Sequence, residues 1–273
     1  MNNNDLAYYT KEDIDAAIKF EYRILTDGVK KDSIKEAYIL GGQPGAGKTV
    51  IHNILNSKYE KNIISINADE YRIFHPNYEE IRKTYGEDSV NYTGKFSGEV
   101  TEKLIDKLSN EGYNLIVEGT LRDKNVPLNT ERLLKQKGYV TELSVIVVKP
   151  EISYLSTKLR YERMYAIGEY ARATPKENHD RVANIIPDNL HVIYKSGGFN
   201  NITLYDRNQK CIYDKSITSE ISPKEIISKV FSRKWTSSEM DNYKNDINEV
   251  YKYMCNRNAT ASEIEAFKNE FIK

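Results

Sequence analysis

Four short apolar runs, each bounded by turn-forming residues, recur in the first part of the chain. They lie at residues 37–40, 63–66, 114–117 and 143–148, with amphipathic stretches between them. Runs of this length and composition are typical of buried strands. Their alternation with helical segments predicts an α/β fold with right-handed crossovers and a doubly wound, mostly parallel sheet covered on both faces. In such a fold, ligands bind at the carboxyl ends of the strands.

Helical periodicity predicts elements on either side of the second apolar run. Thr10 and Asp13 form a capping pair before an apolar face that begins at Ile14, which predicts an N-terminal helix. A further helix is predicted at about residues 92–110, between the second and third runs. Its core-facing stripe consists of Phe96, Val100, Leu104, Ile105 and Leu108.

Beyond residue 150 the pattern changes to helices and one hairpin. Helices are predicted at about 151–167 and from Thr174, where a threonine cap, a proline and a glutamate stand in first-turn positions. Two β-prone runs around a polar turn predict a hairpin at 202–214. Capping boxes that begin at Ser222, Thr236 and Thr260 predict three more helices.

This organisation predicts a core followed by a helical appendage. Residues 1–216 are expected to form the core with its substrate and lid helices, and residues 217–273 a helical C-terminal extension packed on the same domain. A small separate subdomain at the C-terminus is the alternative.

The segment GGQPGAGKTV, residues 41–50, follows the first predicted strand and precedes a predicted helix. Its glycines let the backbone curl until successive N–H groups point at one anion, and the dipole of the following helix adds to that attraction. Lys48 is expected to reach the outer phosphates of a nucleotide, and the Thr49 hydroxyl to coordinate Mg²⁺. The predicted nucleotide-binding residues are Gly42, Gln43, Pro44, Gly45, Ala46, Gly47, Lys48 and Thr49. A chance glycine-rich turn is the alternative, and the strand–loop–helix order argues against it.

Composition narrows the class of ligand. The chain has 40 Lys and Arg against 40 Asp and Glu, with no dense basic block, so the electrostatic footprint of a nucleic-acid binder is missing and a small-molecule substrate is expected. The first residues have neither the basic start nor the apolar run of a signal peptide, and no segment approaches the length of a membrane span. We therefore expect a cytoplasmic protein without a membrane partner.

A phosphate-binding loop serves hydrolysis coupled to motion, GTP switching or phosphoryl transfer to a small acceptor. The sequence has no Asn-Lys-x-Asp tetrapeptide of the kind that reads guanine, which weakens the switch interpretation. Phosphoryl transfer needs a carboxylate that takes the proton of the acceptor hydroxyl, cations on the migrating charge, and exclusion of water. The chain has candidates for these roles.

Two carboxylates follow predicted strands and are expected at the sheet edge that carries the loop. Asp69, in SINADEYR, is a candidate base for the acceptor hydroxyl, with an N-cap of the next segment as the alternative role. Glu118, in NLIVEGT, is a candidate to position Mg²⁺ or water or to bind substrate, with a solvated strand-end acid as the alternative. The glycine and threonine that follow it indicate close backbone approach.

Two arginines fall where the chain leaves the predicted sheet. Arg160 in LRYERMY and Arg172 in ARATPKE are candidates to neutralise a transferring phosphoryl group, for which a guanidinium fork is suited. Each alone is also compatible with a solvated helical residue, whereas the pair flanks a possible lid. The four histidines show no metal-ligand spacing, and none is a candidate site residue.

Together these motifs resemble the zeta toxins of epsilon and zeta toxin–antitoxin systems. The resemblance rests on GGQPGAGKT, NADEYRIFHPNYEE, GEVTEKLIDKLSNEGYNLIVEGTLR, VPLNT, LRYERMY and ARATP in that order, over about residues 39–215. It implies a P-loop kinase that uses ATP or GTP with Mg²⁺ to phosphorylate the 3′-hydroxyl of UDP-N-acetylglucosamine. It also implies a partner, a small helical antitoxin of the epsilon type, often in a two-plus-two assembly.

The resemblance also implies roles for individual residues. Lys48 and Thr49 would hold the nucleotide phosphates and metal, Asp69 would be the general base, and Arg160 and Arg172 would face the transferring phosphate. The residues that match the substrate side of the family are Glu102, Glu118, Thr120, Arg122 and Thr130.

The sequence departs from the family pattern at three places. Ala68 stands where the family carries a polar side chain, the segment between Tyr165 and Arg172 is about one residue shorter, and the C-terminal helices are the least family-like part. Two other functions stay open at this point. One is a P-loop kinase of another small acceptor, such as a nucleotide, an antibiotic or a dinucleotide, and the other is a non-catalytic nucleotide-binding partner protein.

Overall fold

A six-stranded sheet with strand order β2-β3-β1-β4-β5-β6 forms the centre of the computed structural model, which describes residues 6–168, 173–218 and 220–272. The strands are β1 (Glu36–Gly41), β2 (Ile64–Ile66), β3 (Leu115–Glu118), β4 (Val140–Ile146), β5 (Asn201–Tyr205) and β6 (Cys211–Asp214). The first five pair in parallel, and β6 runs antiparallel to β5 at one edge. The predicted α/β class, the mostly parallel sheet and the hairpin are confirmed.

Ten α-helices lie in the described part of the chain. They are α1 (Lys11–Thr26), α2 (Thr49–Lys58), α3 (Tyr78–Tyr85), α4 (Ser89–Glu111), α5 (Asn125–Gln136), α6 (Pro150–Ala166), α7 (Lys176–Ser196), α8 (Pro223–Ser232), α9 (Ser237–Asn256) and α10 (Ala261–Phe271). Two 3₁₀ turns, Glu70–Phe74 and Gly86–Asp88, flank α3.

The fourth strand differs from its predicted bounds. It begins at Val140 and ends at Ile146, whereas the apolar run that predicted it covers 143–148. The polar residues Thr141 and Glu142 belong to it because they pair in register with Ala37 and Tyr38 of β1. Backbone pairing with a long central neighbour therefore extends the strand beyond its apolar run.

The helix starts follow their capping signals except at α8 and α7. Thr10, Thr236 and Thr260 each form the predicted box with the acid three residues later. Ser222 also caps its helix, although its hydroxyl accepts from the N–H of Lys224, so that no box is formed there.

The threonine cap predicted for α7 is wrong. Pro175 occupies the N-cap position and makes no side-chain cap hydrogen bond. Its φ of −56° and ψ of 142° hold the backbone extended immediately before the helix. The proline therefore sets the start of α7, and Thr174 lies one residue too early to cap it.

The sheet divides the core into two layers. Along β1, Ala37 and Ile39 join the cluster that includes the stripe of α4, whereas Tyr38 and Leu40 face α2 on the other side. The predicted α4 stripe is confirmed, since all its members are at most 3% exposed. Full burial of each such side chain contributes about 1.5–3 kcal/mol to the free energy of folding. Both faces of the sheet are covered, as a parallel sheet requires.

The C-terminal helices pack against the later helices of the core. α8 contacts α7, and α9 contacts α6. A third apolar cluster joins α6 with α9 and α10, and its largest members include Tyr154, Met254, Phe267 and Phe271. Across the described ranges, no helix has both the length and the apolar character that crossing a bilayer would require.

Candidate functional site

The loop between β1 and α2 has the backbone conformation that its glycines permit. Gly42, Gly45 and Gly47 have φ values of 143°, 74° and 96°, a region that residues with a Cβ rarely adopt. A Cβ on Gly45 would lie 2.1 Å from the carbonyl oxygen of Ser153 in α6. Glycine at this position is therefore required by both the conformation and the close approach of α6.

The end of the loop places two polar side chains at the start of α2. Lys48 occupies the N-cap position and is half-buried, and Thr49 is the first helical residue and is exposed. Backbone N–H groups at a helix start have no partner within the helix and attract anions. The predicted nucleotide-binding residues 42–49 thus form one continuous loop and helix start.

Gln43 supports the loop from inside the protein. Its side chain is 1% exposed, and its Nε2 donates to the carbonyl oxygen of Val148 at 2.8 Å and to Ser153 Oγ at 3.3 Å. The amide nitrogen is therefore committed to the segment that enters α6. Any contribution of Gln43 to an anion comes from its backbone.

Sequence reasoning missed an arginine on the outer side of the loop. Arg207, in the turn of the β5–β6 hairpin, donates from Nε to the carbonyl oxygen of Ala46 at 3.0 Å. Its Nη2 donates to the carbonyl oxygen of Gly45 and, at 3.0 Å, to Ser156 Oγ. No local pattern around Arg207 signals this contact, because its partners lie far away in the sequence.

A cavity of about 290 Å³ opens beside the loop, at the carboxyl ends of β1, β2 and β3. The predicted site residues that line it are Lys48, Asp69, Glu118, Thr120, Arg122 and Thr130. The helix α5 closes one side with Val126 and Pro127. Six residues from four motifs thus meet at one place, where a parallel α/β sheet binds its ligands.

Three other predicted site residues are not among the described residues that line this cavity. Arg160 is exposed on α6 outside the lining of this cavity, although its charge acts on Lys48. Glu102 is exposed on α4 and does not line the cavity either. Arg172 lies outside the described residues. Arg160 therefore influences the charge of Lys48 without lining the cavity, whereas Glu102 does not line the cavity.

Lys48 lies among opposite and like charges. Burial lowers the pKa of its ammonium group, the carboxylates of Glu118 and Asp69 oppose that effect, and Arg160 adds to it. The net result is a lowered pKa. A polyanion bound at the loop would supply the negative charge that favours the ammonium form.

Glu118 is held by a histidine that sequence reasoning missed. Oε1 of Glu118 lies 2.8 Å from Nε2 of His52 in α2. Burial raises the pKa of Glu118, but the hydrogen bond with His52 and the charge of Lys48 lower it more, so the net pKa falls below its usual value. Glu118 is thus an ionised acceptor at neutral pH. The available signal was the position of His52, one helical turn after Thr49.

Asp69 is oriented by a second missed residue. Nε of Arg72 lies 2.9 Å from Oδ1 of Asp69, and Nη1 of Arg72 donates to the carbonyl oxygen of Val90 at 2.9 Å and to Thr93 Oγ1 at 3.1 Å. Asp69 precedes the turn Glu70–Phe74 and makes no side-chain cap hydrogen bond. The alternative role of its carboxylate as an N-cap is therefore wrong, and Arg72 ties that carboxylate to α4.

Sequence comparison finds close relatives over most of the chain. Residues 22–218 match the family model described as Zeta toxin. Toxin PezT of Streptococcus pneumoniae is 42% identical over 234 residues, which are 85% of this chain and 92% of that protein. Toxin zeta of Streptococcus pyogenes is 36% identical over 267 residues, which are 97% of this chain and 92% of that protein.

Solved structures agree with the sequence matches. A chain from the PezAT chromosomal toxin–antitoxin system of Streptococcus pneumoniae has a TM-score of 0.83 and 38% identity, over 91% of this chain and 98% of that one. A chain of the native AvrRxo1-ORF1:-ORF2 complex has a TM-score of 0.54 and 13% identity, over 95% and 80%. The second match shows a shared fold alone.

Proposed function

The chain belongs to the zeta toxin family and has its P-loop kinase-like fold, as its motifs predict, and from this premise we propose that it is a toxin-type kinase. It transfers the γ-phosphate of ATP or GTP to the 3′-hydroxyl of UDP-N-acetylglucosamine. One observation carries the proposal: Lys48 of the phosphate loop and the oriented carboxylate of Asp69 line the same cavity.

Asp69 acts as the general base in this proposal. Its carboxylate takes the proton of the acceptor hydroxyl while the hydroxyl oxygen forms a bond to the γ-phosphorus. The bond between the γ-phosphorus and the bridging oxygen breaks, and the nucleoside diphosphate leaves with that electron pair. Support comes from Arg72, whose Nε lies 2.9 Å from Oδ1 of Asp69 and fixes the orientation of the carboxylate at the cavity.

Cations at the loop stabilise the charge that moves. Lys48 contacts the outer phosphates, and Arg160, with Arg172 from the family resemblance, neutralises the transferring group. Thr49 is an exposed residue at the loop end, and its hydroxyl is a hard oxygen donor of the kind that Mg²⁺ prefers together with substrate phosphates and water. When bound, Mg²⁺ would neutralise phosphate charge.

Glu118 and its neighbours bind the acceptor. The ionised carboxylate of Glu118 accepts hydrogen bonds from sugar hydroxyls, and Thr120, Arg122 and Thr130 complete the polar lining. The cavity volume of about 290 Å³ is just below the range of about 300–1,000 Å³ that is usual for small-ligand pockets. A cavity of this size supports a binding mode in which the sugar of UDP-N-acetylglucosamine enters the cavity and the uridine diphosphate part lies at its mouth. Glu102 stays a prediction from the family resemblance.

The partner in this proposal is a small helical antitoxin of the epsilon type, in a two-plus-two assembly. It is supported by the high similarity to a chain of the PezAT toxin–antitoxin system. The complex would form in the cytoplasm. The C-terminal helices would select the antitoxin, and deletion of the residues after Ile221 that leaves antitoxin affinity unchanged would contradict this role.

An acceptor screen tests the proposal. The purified chain is incubated with γ-³²P-labelled ATP or GTP, Mg²⁺ and one acceptor at a time, and the products are identified by mass spectrometry. Label in UDP-N-acetylglucosamine is expected. Label only in another nucleotide, an antibiotic or a dinucleotide would keep the kinase and replace the acceptor. Nucleotide binding without transfer to any acceptor would favour a non-catalytic binding protein.

A further inference from the structure

Arg207 connects the phosphate loop to a hairpin that lies apart from the proposed catalytic residues. Its guanidinium donates to two successive loop carbonyls, those of Gly45 and Ala46, and to the hydroxyl of Ser156 in α6. The side chain is half-buried, between the loop and α6. One arginine thus joins the loop, the hairpin turn and α6.

The contact constrains the direction of the loop N–H groups. A trans peptide turns a carbonyl and the N–H of the next residue in opposite directions. A carbonyl of Ala46 held outward by Arg207 therefore turns the N–H of Gly47 toward the other side of the loop. Since glycine has the largest conformational freedom of any residue, hydrogen bonds from Arg207 limit the conformations open to the segment from Gly45 to Gly47.

The guanidinium also brings positive charge to the back of the loop. Arg207 stays protonated at neutral pH because a guanidinium is a very strong base, although burial lowers its pKa. The carboxylate of Asp246 in α9 opposes the effect of burial. The charge of Asp246 in α9, a helix of the C-terminal region, therefore acts on the arginine that contacts the phosphate loop.

We propose that Arg207 is a positioning residue that holds the phosphate loop in its anion-binding conformation. The inference rests on the phosphate-binding part of the proposed function and is independent of the acceptor. It gives the β5–β6 hairpin a role in binding the phosphate donor.

The test compares Arg207→Ala and Arg207→Lys with Lys210→Ala, which removes a positive charge from an exposed residue in the same hairpin turn. The affinities of ATP and of inorganic triphosphate, both with Mg²⁺, are measured by calorimetry. Both Arg207 variants are expected to lose about tenfold in affinity for both ligands, as loss of charged hydrogen bonds predicts. Lysine is expected to fail because its ammonium lacks the planar fork with which the guanidinium reaches Gly45, Ala46 and Ser156 together. Lys210→Ala is expected to stay within about twofold.

Melting curves of all variants separate loop positioning from general destabilisation. Cooperatively folded Arg207 variants with unchanged affinities would overturn the inference. A loss for ATP but not for triphosphate would also overturn it, since Arg207 would then serve the nucleoside. If Arg207→Ala does not fold, Arg207→Lys decides. Absence of nucleotide binding in the unsubstituted chain would overturn the proposed function together with this inference, whereas binding that the variants retain overturns the inference alone.

Discussion

Nε2 of His52 lies 2.8 Å from Oε1 of Glu118, and this contact joins the helix after the phosphate loop to the acidic end of β3. The contact therefore links the phosphate-donor side of the cavity to the side that is proposed to bind the acceptor. We expect replacement of the imidazole to affect the carboxylate of Glu118 and to leave the phosphate loop unchanged.

His52→Ala is expected to weaken acceptor binding. The hydrogen bond to His52 lowers the pKa of Glu118, so its loss favours the protonated carboxyl and frees its rotation. The KM for the acceptor should rise about three- to tenfold, with nucleotide affinity unchanged. His191→Ala, which removes an imidazole that contacts Ser222 in another region, serves as the control. Equal KM values for the two variants would contradict this role of His52.

The same contact predicts an acid limit. The pKa of Glu118 in the folded protein is below its ordinary value of 4.5. The stability that its ionised form contributes is therefore complete above about pH 4.5 and is lost as the pH falls through the lower folded value. Urea unfolding between pH 6 and pH 3 should show a steeper loss for the unsubstituted chain than for Glu118→Gln. Parallel curves would contradict the prediction.

Arg72→Ala is expected to reduce the turnover number about tenfold or more, because the Asp69 carboxylate loses its link to α4. Nucleotide affinity should stay within about twofold. Arg132→Ala, on the exposed surface of α5, is the control. A turnover number for Arg72→Ala equal to that of Arg132→Ala would contradict a positioning role for Arg72.

Gly45→Ala is expected to abolish nucleotide binding and to destabilise the fold by about 1–3 kcal/mol. The added Cβ would lie 2.1 Å from the Ser153 carbonyl oxygen and 2.9 Å from Thr157 Cγ2. Gly98→Ala in α4 is the matched control, since its Cβ meets nothing within 4 Å. That change should stabilise the protein by about 0.5–1 kcal/mol. Urea unfolding and nucleotide titration of both variants check the contrast, which equal effects would refute.

Two bidentate Arg–Glu pairs differ in burial and should differ in stability. Arg257 donates to both oxygens of Glu162, whose side chain is 5% exposed. Arg257→Ala removes the partner of that buried carboxylate and should lower the free energy of unfolding by about 3–5 kcal/mol. Arg163 binds Glu249 in the same manner with side chains 54% and 36% exposed, so Arg163→Ala should cost at most about 1 kcal/mol. Equal losses in urea unfolding would contradict the role of burial.

The sequence predicts those parts of the fold whose signals are local. The apolar run before Gly41, the glycines of the loop and the capping box at Thr236 each act within a few residues, and all three recur in the structure. The helix α3 was missed because Asn77 makes no side-chain cap bond and Ile81 is its one fully buried residue in the described part of the chain.

The site residues also divide into those with a local sequence signal and those without one. Asp69 and Glu118 follow strands, so their place at the sheet edge could be predicted from order along the chain. His52, Arg72 and Arg207 were missed because their functional contacts depend on tertiary packing, which no single motif encodes.

Single-turnover transfer from bound ATP to UDP-N-acetylglucosamine tests most directly whether Asp69 is the general base of a kinase. The unsubstituted chain and Asp69→Asn are compared at equal nucleotide occupancy, and the phosphorylated position is assigned by NMR. We expect 3′-phosphorylation by the unsubstituted chain and a rate at least about 100-fold lower for Asp69→Asn, since general base catalysis contributes that much or more. Equal rates for the two proteins would show that Asp69 is not the general base.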